Sequence, residues 1–374
     1  MTATIRTLHV EEFDDFVRYL ERAFGQAKGW FEGHLPHIYR PTERACAWAY
    51  VIVDDGEIRS HVGVYPIQAV TTGFPLAIGG IGAVSTAPEA RGQGYMTRLL
   101  DHAIREMRRR DYPVSWLGGD RQRYNTFGWE NASPSYELIF TSRSLDWAPV
   151  EPLAVEEVYA EEALATIRRY YQEPACHAVR PDLEIQMRKA NHRFWIAEDG
   201  YAVLAGQDRE HLRIRELVSA SGREVNMIRA LMDWNDSSRA GWPLSMWDRA
   251  RLHRLLPHAA NWHRGYSGMY RINDLTALLN AVKPHLTERA AALRNFSASL
   301  ALKERDRTTY TTLTVEDGEV AIRPQKGDAP VALSPISAAR LFLGGPPVPE
   351  ADGLPVGLRA MLPVPVTVLP LDYV

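Results

Sequence analysis

The residues Arg91-Gly92-Gln93-Gly94-Tyr95-Met96-Thr97 form a glycine-bearing stretch whose residue types suit the binding of an anion. Because Gly92 and Gly94 lack a Cβ, backbone N–H groups can point outward, and the dipole of a following helix favours negative charge at its start. We therefore predict a phosphate site, although two glycines also occur in ordinary strand-to-helix turns. A dinucleotide motif does not fit, since no third glycine follows Gly80 and Gly82 at the required spacing.

Two regular elements must position this stretch. Residues 78–86 have the apolar character of a strand that leads into it. The apolar residues after it recur at spacings of three and four, which predicts an amphipathic helix: Met96, Leu99, Leu100, Ala103, Ile104 and Met107. A further strand at 114–117 ends at Gly118-Gly119-Asp120, and a short helix at 121–127 carries Tyr124. Residues 136–140 predict the next strand.

The residues before the central strand also have clear signals. They predict a strand at 5–10, a helix at 11–24 that ends at Gly25, and two strands at 47–53 and 58–67 around the turn Asp54-Asp55-Gly56. Aromatic residues between 26 and 42 either cover the core or line an acceptor pocket.

The middle of the chain repeats part of this order. Strands are predicted at 194–197, 201–205 and 212–219, and a helix begins at Ser221-Gly222-Arg223-Glu224, where we predict a capping box of Ser221 and Glu224. No arginine-and-glycine turn precedes this helix, so the middle segment is predicted to be a non-catalytic copy.

The C-terminal part predicts a different arrangement. Helices are expected at 274–282 and 334–343, and strands at 296–302, 309–315 and 319–322. The tail at 364–374 is mostly apolar, which predicts that it is buried.

Length and composition restrict the class of protein. A chain of 374 residues is long enough for two or three domains, and a net charge of −3 gives no electrostatic footprint for nucleic acid. Cys46 and Cys176 are too few for a disulfide framework and favour a reducing compartment. No apolar run reaches the roughly 20 residues of a membrane span, and residues 1–6 have no signal core, so we predict a cytoplasmic protein without a membrane partner. His253, His258 and His263 have no metal-ligand spacing, and no metal is expected.

Three features together carry a family resemblance. The stretch from Arg91 to Met96 resembles the pyrophosphate-binding motif R/Q-x-x-G-x-G/A of GNAT N-acetyltransferases, with Met96 in place of the last small residue. With Tyr124-Asn125-Thr126-Phe127-Gly128-Trp129 and the terminus Leu371-Asp372-Tyr373-Val374, the chain resembles the Eis-like (enhanced intracellular survival) acetyltransferases. The resemblance implies an α/β (α+β) protein: a catalytic GNAT domain at 1–147, a degenerate GNAT-like domain at 148–267, and a sterol carrier protein 2-like domain at 268–374.

The resemblance also implies acetyl-CoA as co-substrate. Its pantetheine arm is expected on the backbone of Val84, Ser85 and Thr86, and its pyrophosphate beside Arg91, on Gly92, Gln93, Gly94, Tyr95, Met96 and Thr97. Gly119 and Asp120 are a further expected contact.

Acetyl transfer to an amine requires two proton movements, because the amine loses a proton and the departing thiolate gains one. An amine with a pKa of about 10.4 is mostly charged at neutral pH, so a base is expected. Residues 78–86 contain no acidic side chain. The resemblance implies the terminal carboxylate of Val374 as base and Tyr124 as acid. The alternatives are an ordinary core tyrosine and an ordinary buried chain end.

The sequence thus predicts an N-acetyltransferase for a small-molecule amine, with aminoglycosides or polyamine-like compounds as acceptors that the family suggests. The alternative is a non-catalytic protein whose sterol carrier protein 2-like domain binds an apolar ligand. Whether the protein forms a homo-oligomer is left open.

Overall fold

The computed structural model describes residues 3–147, 150–206, 208 and 210–374. They form a mixed α/β fold with two sheets, which confirms the predicted fold class at that level. Residues 1–2 of the predicted first domain, and residue 148, where the second domain is predicted to begin, lie outside the described residues.

Residues 4–147 build the part of the molecule around the glycine-bearing stretch. Its strands are β1 (Thr4–Thr7), β2 (Ala49–Asp54), β3 (Glu57–Thr71), β4 (Phe74–Thr86), β5 (Val114–Leu117) and β6 (Glu130–Thr141). Its helices are α1 (Phe13–Phe24), α2 (Trp30–His34), α3 (Glu43–Cys46), α4 (Tyr95–Arg109), α5 (Arg121–Asn125) and α6 (Ser142–Trp147).

Three local sequence signals in this part predicted the observed structure correctly. Helix α1 ends at Gly25 in the left-handed conformation (φ 66°), as predicted. The β2–β3 turn has positive φ at Asp55 (51°) and Gly56 (78°), which confirms the predicted hairpin. The predicted apolar face of α4 is the buried one, with Leu99 and Met107 both fully enclosed. The stretch 91–97 is therefore carried between a strand and a firmly packed helix.

The middle segment contributes strands β7 (Glu156–Val158), β8 (Cys176–Val179), β9 (His192–Ala197), β10 (Gly200–Ala205), β11 (His211–Ser219), β12 (Arg239–Ser245) and β13 (Asn261–Ile272). Its helices are α7 (Ala160–Tyr170), α8 (Leu183–Gln186), α9 (Glu224–Trp234) and α10 (Arg249–Leu255). The strands predicted at 194–197, 201–205 and 212–219 are β9, β10 and β11. The sequence analysis contains no prediction for strands β7, β8, β12 and β13.

One continuous sheet joins these two parts. Its strand order is β1-β2-β3-β4-β5-β13-β6-β12-β11-β10-β9-β7, and β8 pairs with β3 outside this path. Strand β13 lies between β5 and β6, antiparallel to both. Hydrogen bonding is therefore continuous from the first segment into the middle segment.

The predicted capping box at the start of α9 is wrong. The side chain of Ser221 bonds to Asp199, and Glu224 accepts hydrogen bonds from Arg254 at 2.7 Å and 3.3 Å. Neither side chain caps the helix, whose N-cap position is Arg223. Tertiary partners outcompete the local pairing, because the Ser221 hydroxyl donates to the Asp199 carboxylate and the Glu224 carboxylate accepts from the Arg254 guanidinium.

The C-terminal part has its own sheet, in the order β16-β15-β14-β17. Its elements are α11 (Leu275–Ala281), α12 (Lys283–Ala290), β14 (Phe296–Lys303), β15 (Thr308–Glu316), β16 (Glu319–Gln325), β17 (Val331–Leu333), α13 (Pro335–Leu343) and α14 (Val356–Met361). The predicted helices and strands of this part are present. The tail is buried as predicted, with Val364, Val366 and Val368 at most 2% exposed. Among the helices of the described residues, none has the length and apolarity needed to cross a membrane.

Candidate active site

Strand β4 separates from β5 near the centre of the large sheet. The two strands pair in parallel only from Ile78 with Val114 to Ile81 with Leu117. On its other side β4 pairs with β3 as far as Thr86. In the described part of the chain, the edge of β4 beyond Ile81 that faces β5 therefore has no strand partner. Its backbone groups are available to an extended ligand, as in the addition of a strand to a sheet edge.

A bulge deforms β4 at this separation. A single residue of β3, Val62, lies opposite two residues of β4, Ala83 and Val84. Ala83 has a φ of 47°, which residues other than glycine rarely adopt. Its carbonyl accepts hydrogen bonds from His61 Nδ1 (2.8 Å) and from the Ser85 hydroxyl (3.2 Å). These two bonds fix the bulge, and bulges of this kind redirect backbone groups next to active sites.

The predicted contacts on β4 are half-buried, and their side chains already have partners. The Ser85 hydroxyl lies 3.1 Å from that of Tyr19, and the Thr86 hydroxyl lies 3.0 Å from that of Ser60. Val84 packs against the surrounding core. What these residues can offer to a ligand is their backbone, as the sequence analysis expects.

The glycine-bearing stretch is exposed and has the backbone conformation that an anion site requires. Gly92 and Gly94 have φ of 81° and 74°. Gly94 is the N-cap of α4, and no side chain in the described structure caps this helix end. The first N–H groups of a 15-residue helix are thus left to solvent or to an anion. The Tyr95 side chain, by contrast, is buried and donates to Asp54 at 2.7 Å.

The loop after β5 brings Tyr124 to the same core. Asp120 caps α5 by accepting from the N–H groups of Gln122 (2.8 Å) and Arg123 (3.4 Å), so its carboxylate is already used. A Cβ at Gly119 would lie 2.9 Å from the Tyr124 ring, and glycine leaves room for that ring. Burial raises the pKa of the Tyr124 phenol above its ordinary value of 10.0, and the charge of Arg123 opposes this only in part. The phenol therefore keeps its proton at neutral pH.

The chain terminus lies against the glycines of β4. A Cβ at Gly82 would lie 2.9 Å from the carboxylate carbon of Val374 and 3.1 Å from its oxygen. A Cβ at Gly80 would lie 2.6 Å from Val374 Cγ2. Gly82 pairs with Gly63 of β3, and the Tyr65 ring fills the space above both. The terminal carboxylate therefore sits directly before the bulge and the separation of β4 from β5.

A cavity of ≈ 140 Å³ opens beside this carboxylate. Its lining includes Val374, the aromatic rings of Trp48 and Tyr65, His37 and Arg44. Burial lowers the pKa of His37 to about 3, so this imidazole is neutral. Residues 37–38 form part of the lining. They belong to the aromatic region 26–42, which is predicted either to cover the core or to line an acceptor pocket.

Sequence reasoning overlooked the glycines of β4 and the residues that anchor the tail. A glycine in a strand interior often marks a close approach of another group, and Gly80 and Gly82 could have suggested one. Nothing local indicated Tyr65 as its neighbour, or Arg180, which contacts Asp372 across 192 positions. The residues expected in separate roles, Val84 to Thr86, 91–97, Tyr124 and Val374, all lie around β4 and α4.

No group of three or more His, Cys, Asp and Glu side chains within the described ranges is arranged to hold a metal ion. Cys46 and Cys176 are both unpaired and buried.

Comparisons with known proteins agree with this geometry. Residues 4–132 match the family described as Acetyltransferase (GNAT) domain. No curated protein sequence matches the chain. Three solved structures share its fold at low identity. A GCN5-related N-acetyltransferase from Kribbella flavida has 20% identity and a TM-score of 0.70, with 100% of this chain and 98% of that chain covered.

The second structure is a probable N-acyltransferase of unknown function from Enterococcus faecalis V583, with 17% identity and a TM-score of 0.71 over 92% of this chain and 90% of that chain. The third is Eis1 from Mycobacterium abscessus, with 15% identity and a TM-score of 0.67 over 98% of both chains. GNAT acetyltransferases use acetyl-CoA as the acyl donor. Residues 4–132 are an acetyltransferase (GNAT) domain, and the protein is an acyltransferase.

Proposed function

We propose that the protein is an acetyl-CoA-dependent N-acetyltransferase of the Eis-like type, and that it acetylates a small-molecule amine. One observation carries the proposal: the Val374 carboxylate lies against Gly82, where β4 leaves β5. Strand β4 has no acidic side chain between residues 78 and 86. The chain terminus supplies the carboxylate that this strand lacks.

The donor fits the features around β4. The unpaired edge from Gly82 to Thr86 suits the amides of a pantetheine arm, which can bond to a strand edge as a peptide does. The exposed start of α4, with Gly92 and Gly94 at positive φ, suits the pyrophosphate. Gly119 and Asp120 contribute less to binding of the donor, because the Asp120 carboxylate already caps helix α5.

In the proposed reaction, the amine nitrogen forms a bond to the acetyl carbonyl carbon, and the bond from that carbon to sulfur breaks. The Val374 carboxylate accepts the proton that the amine gives up, and the Tyr124 phenol donates its proton to the departing thiolate. The raised pKa of Tyr124 keeps the phenol protonated before the step. An ordinary α-carboxyl pKa of about 3.5 is low for a base, so the step requires either desolvation of the carboxylate or a water relay.

The domain organisation is part of the proposal. We assign residues 1–147 to a catalytic GNAT unit, 148–267 to a degenerate GNAT-like unit, and 268–374 to a sterol carrier protein 2-like unit, with the last boundary inside strand β13. Asp199 supports the degenerate assignment, because its carboxylate accepts the N–H of Ser221 (3.1 Å) just ahead of α9. Within the described residues, no side chain caps the corresponding position before α4, which leaves the start of that helix open to an anion.

The cavity beside Val374 supports an amine acceptor. It combines the terminal carboxylate with the rings of Trp48 and Tyr65, and both aromatic faces and a carboxylate attract an ammonium group. A cavity of ≈ 140 Å³ holds one amine-bearing arm rather than a whole oligosaccharide. A large acceptor such as an aminoglycoside would therefore place its remaining rings outside.

The experiment is a calorimetric titration of acetyl-CoA into the protein with its native C-terminus, followed by measurement of amine-dependent release of free CoA thiol. Saturable binding is expected, and Gly94→Val should abolish it, because a β-branched residue at a φ of 74° distorts the turn. Gly73→Val is the matched control: Gly73 has a φ of 85° and no atom within 4 Å of an added Cβ, but it lies at the far end of β4.

Absence of binding would refute the proposal. Binding without CoA release for simple amines, polyamines and aminoglycosides would leave the ligand-binding alternative as the better account.

A further inference from the structure

Side chains of the middle segment hold the last residues of the chain. Asp372 is buried and accepts two hydrogen bonds from Arg180, through Nε (2.7 Å) and Nη2 (2.9 Å). It also accepts one from Gln186 Nε2 (2.9 Å). The carbonyl of Leu371 accepts from the Lys189 ammonium (2.7 Å). We call Arg180, Gln186 and Lys189 the tail clamp.

The Glu216 carboxylate holds the tail clamp in place through Arg180. Glu216 takes a second pair of bonds from Arg180, at 2.8 Å and 2.5 Å, and accepts the Tyr201 hydroxyl at 2.6 Å. Arg180 and Lys189 therefore face two carboxylates, those of Glu216 and Asp372. Buried charges that are balanced and fully hydrogen-bonded favour a single arrangement of their side chains.

The clamp is connected to the terminal carboxylate by a short, rigid path. The Tyr373 ring stacks on Trp116, with centroids 4.6 Å apart and planes at 26°. Its hydroxyl donates to the carbonyl of Ser267 at 3.2 Å. Val374 follows Asp372 by two positions, a reach of at most about 7 Å. A shift of Asp372 is therefore passed towards the carboxylate through a single intervening residue, Tyr373.

We propose that Arg180, Gln186 and Lys189 are positioning residues for acetyl transfer: by holding Leu371 and Asp372, they set the place of the Val374 carboxylate beside Gly82. This inference rests on the proposed function, in which that carboxylate is the base. The middle segment then contributes to catalysis although the Asp199 carboxylate already occupies the turn before its own helix α9.

The test compares Asp372→Asn and Lys189→Met with the unaltered protein. Asp372→Asn keeps the side-chain shape but removes the charge that Arg180 holds. Lys189→Met removes the bond to Leu371 and leaves the pair of Arg180 with Glu216 intact, so it tests the clamp even if the first variant folds poorly. In both variants we expect kcat to fall by about 100-fold, the effect of a misplacement near 1 Å. The Kd of acetyl-CoA should stay within about twofold, because the donor site is untouched.

Two further readouts separate positioning from loss of stability. A carboxypeptidase should release Val374 faster from both variants, measured by mass spectrometry well below Tm. Added formate, a free carboxylate, should restore part of kcat in both variants and in a chain without Val374. Glu224→Gln is the control: Glu224 is 1% exposed and pairs with Arg251 and Arg254, and none of its hydrogen bonds within the described residues reaches residues 371–374. It should lower Tm without changing kcat or tail release.

If Asp372→Asn and Lys189→Met both keep the kcat of the unaltered protein, and their tails still resist the carboxypeptidase, this inference is refuted. The proposed function would not be affected by that result. A chain without Val374 that keeps full activity would instead remove the proposed base, and with it the reason for a clamp.

Discussion

The contact between Gly82 and the chain terminus gives the sharpest prediction. Carbon atoms at van der Waals contact are about 3.5–4.0 Å apart. In Gly82→Ala the new Cβ would lie 2.9 Å from the carboxylate carbon and 3.0 Å from Tyr65 Cε2. The carboxylate must then retreat by about 0.6–1.1 Å to restore contact distance. A misplacement of this size costs about 100-fold in rate, which is about 2.7 kcal/mol in activation free energy.

The assay follows free CoA thiol released from acetyl-CoA in the presence of an accepted amine, with KM and kcat determined separately. We expect kcat to fall while the Kd of acetyl-CoA is nearly unchanged. Gly265→Ala is the matched control: Gly265 lies in β13 of the same sheet, and its Cβ would meet only Ser135 Oγ at 3.9 Å. A folded Gly82→Ala protein with unaltered kcat would refute the base assignment, and an equal loss in Gly265→Ala would show that the sheet, not the terminus, is responsible.

Three other predictions address separate parts of the molecule. Tyr124→Phe should lower kcat by about 10²–10⁴-fold with little change in acetyl-CoA affinity, and unchanged turnover would remove the acid role. Because burial raises the pKa of Tyr124, any decline of wild-type kcat through loss of its proton should begin at a higher pH than for an exposed tyrosine. Extension of the chain by one glycine after Val374 should abolish most activity, because the carboxylate is carried past Gly82, and full activity of the extended chain would contradict this. Glu130→Gln should cost about 3 kcal/mol of unfolding free energy at pH 7. Burial disfavours the charged form of Glu130, but hydrogen bonds from Arg121 and Arg340 have the larger effect and lower the pKa of Glu130 from 4.5 to about 2. This stability is present above about pH 4.5 and is lost as the pH falls to about 2, so denaturant titrations of wild type and variant should converge in acid; parallel curves would refute it.

Local sequence signals predicted the elements that hold the donor site. Helix α4, the β2–β3 hairpin and the cap of α1 at Gly25 depend on residues within a few positions of one another, and all three are present. The same holds for α13, whose N-cap Ser334 and closing Gly344 were readable as a start and a stop.

Long-range pairing could not be predicted in the same way. Strand β13 lies between β5 and β6 because Met269 pairs with Leu117, and Asn261 with Ile139. Its first four residues are all exposed, so no alternation of buried apolar and exposed polar residues indicated a strand there. The capping box at Ser221 failed for a related reason: its side chains have partners that are distant in the sequence.

The same limit applies to the site. The terminus and Tyr124 were suggested by short sequence segments, whereas the groups that hold them are scattered. Arg180 reaches Asp372 only because β8 pairs with β3 and carries the following residues to the tail. No periodicity of the sequence encodes this meeting, and only the folded sheet creates it.

In the proposed mechanism, the use of a chain end as base would explain why the tail is so heavily anchored. A carboxylate on the last residue has no helix or strand behind it, and ordering each residue of a free tail costs about 1–2 kcal/mol of backbone entropy. Burial of Val368 and Leu371, the stacking of Tyr373 and the ion pair of Asp372 offset that cost before any substrate binds. The glycine at position 82 completes the arrangement, because any larger residue would exclude the carboxylate from the strand. In the proposed mechanism, the buried tail therefore serves the preorganisation of the base, and its truncation by one residue should remove activity while leaving these anchoring contacts in place.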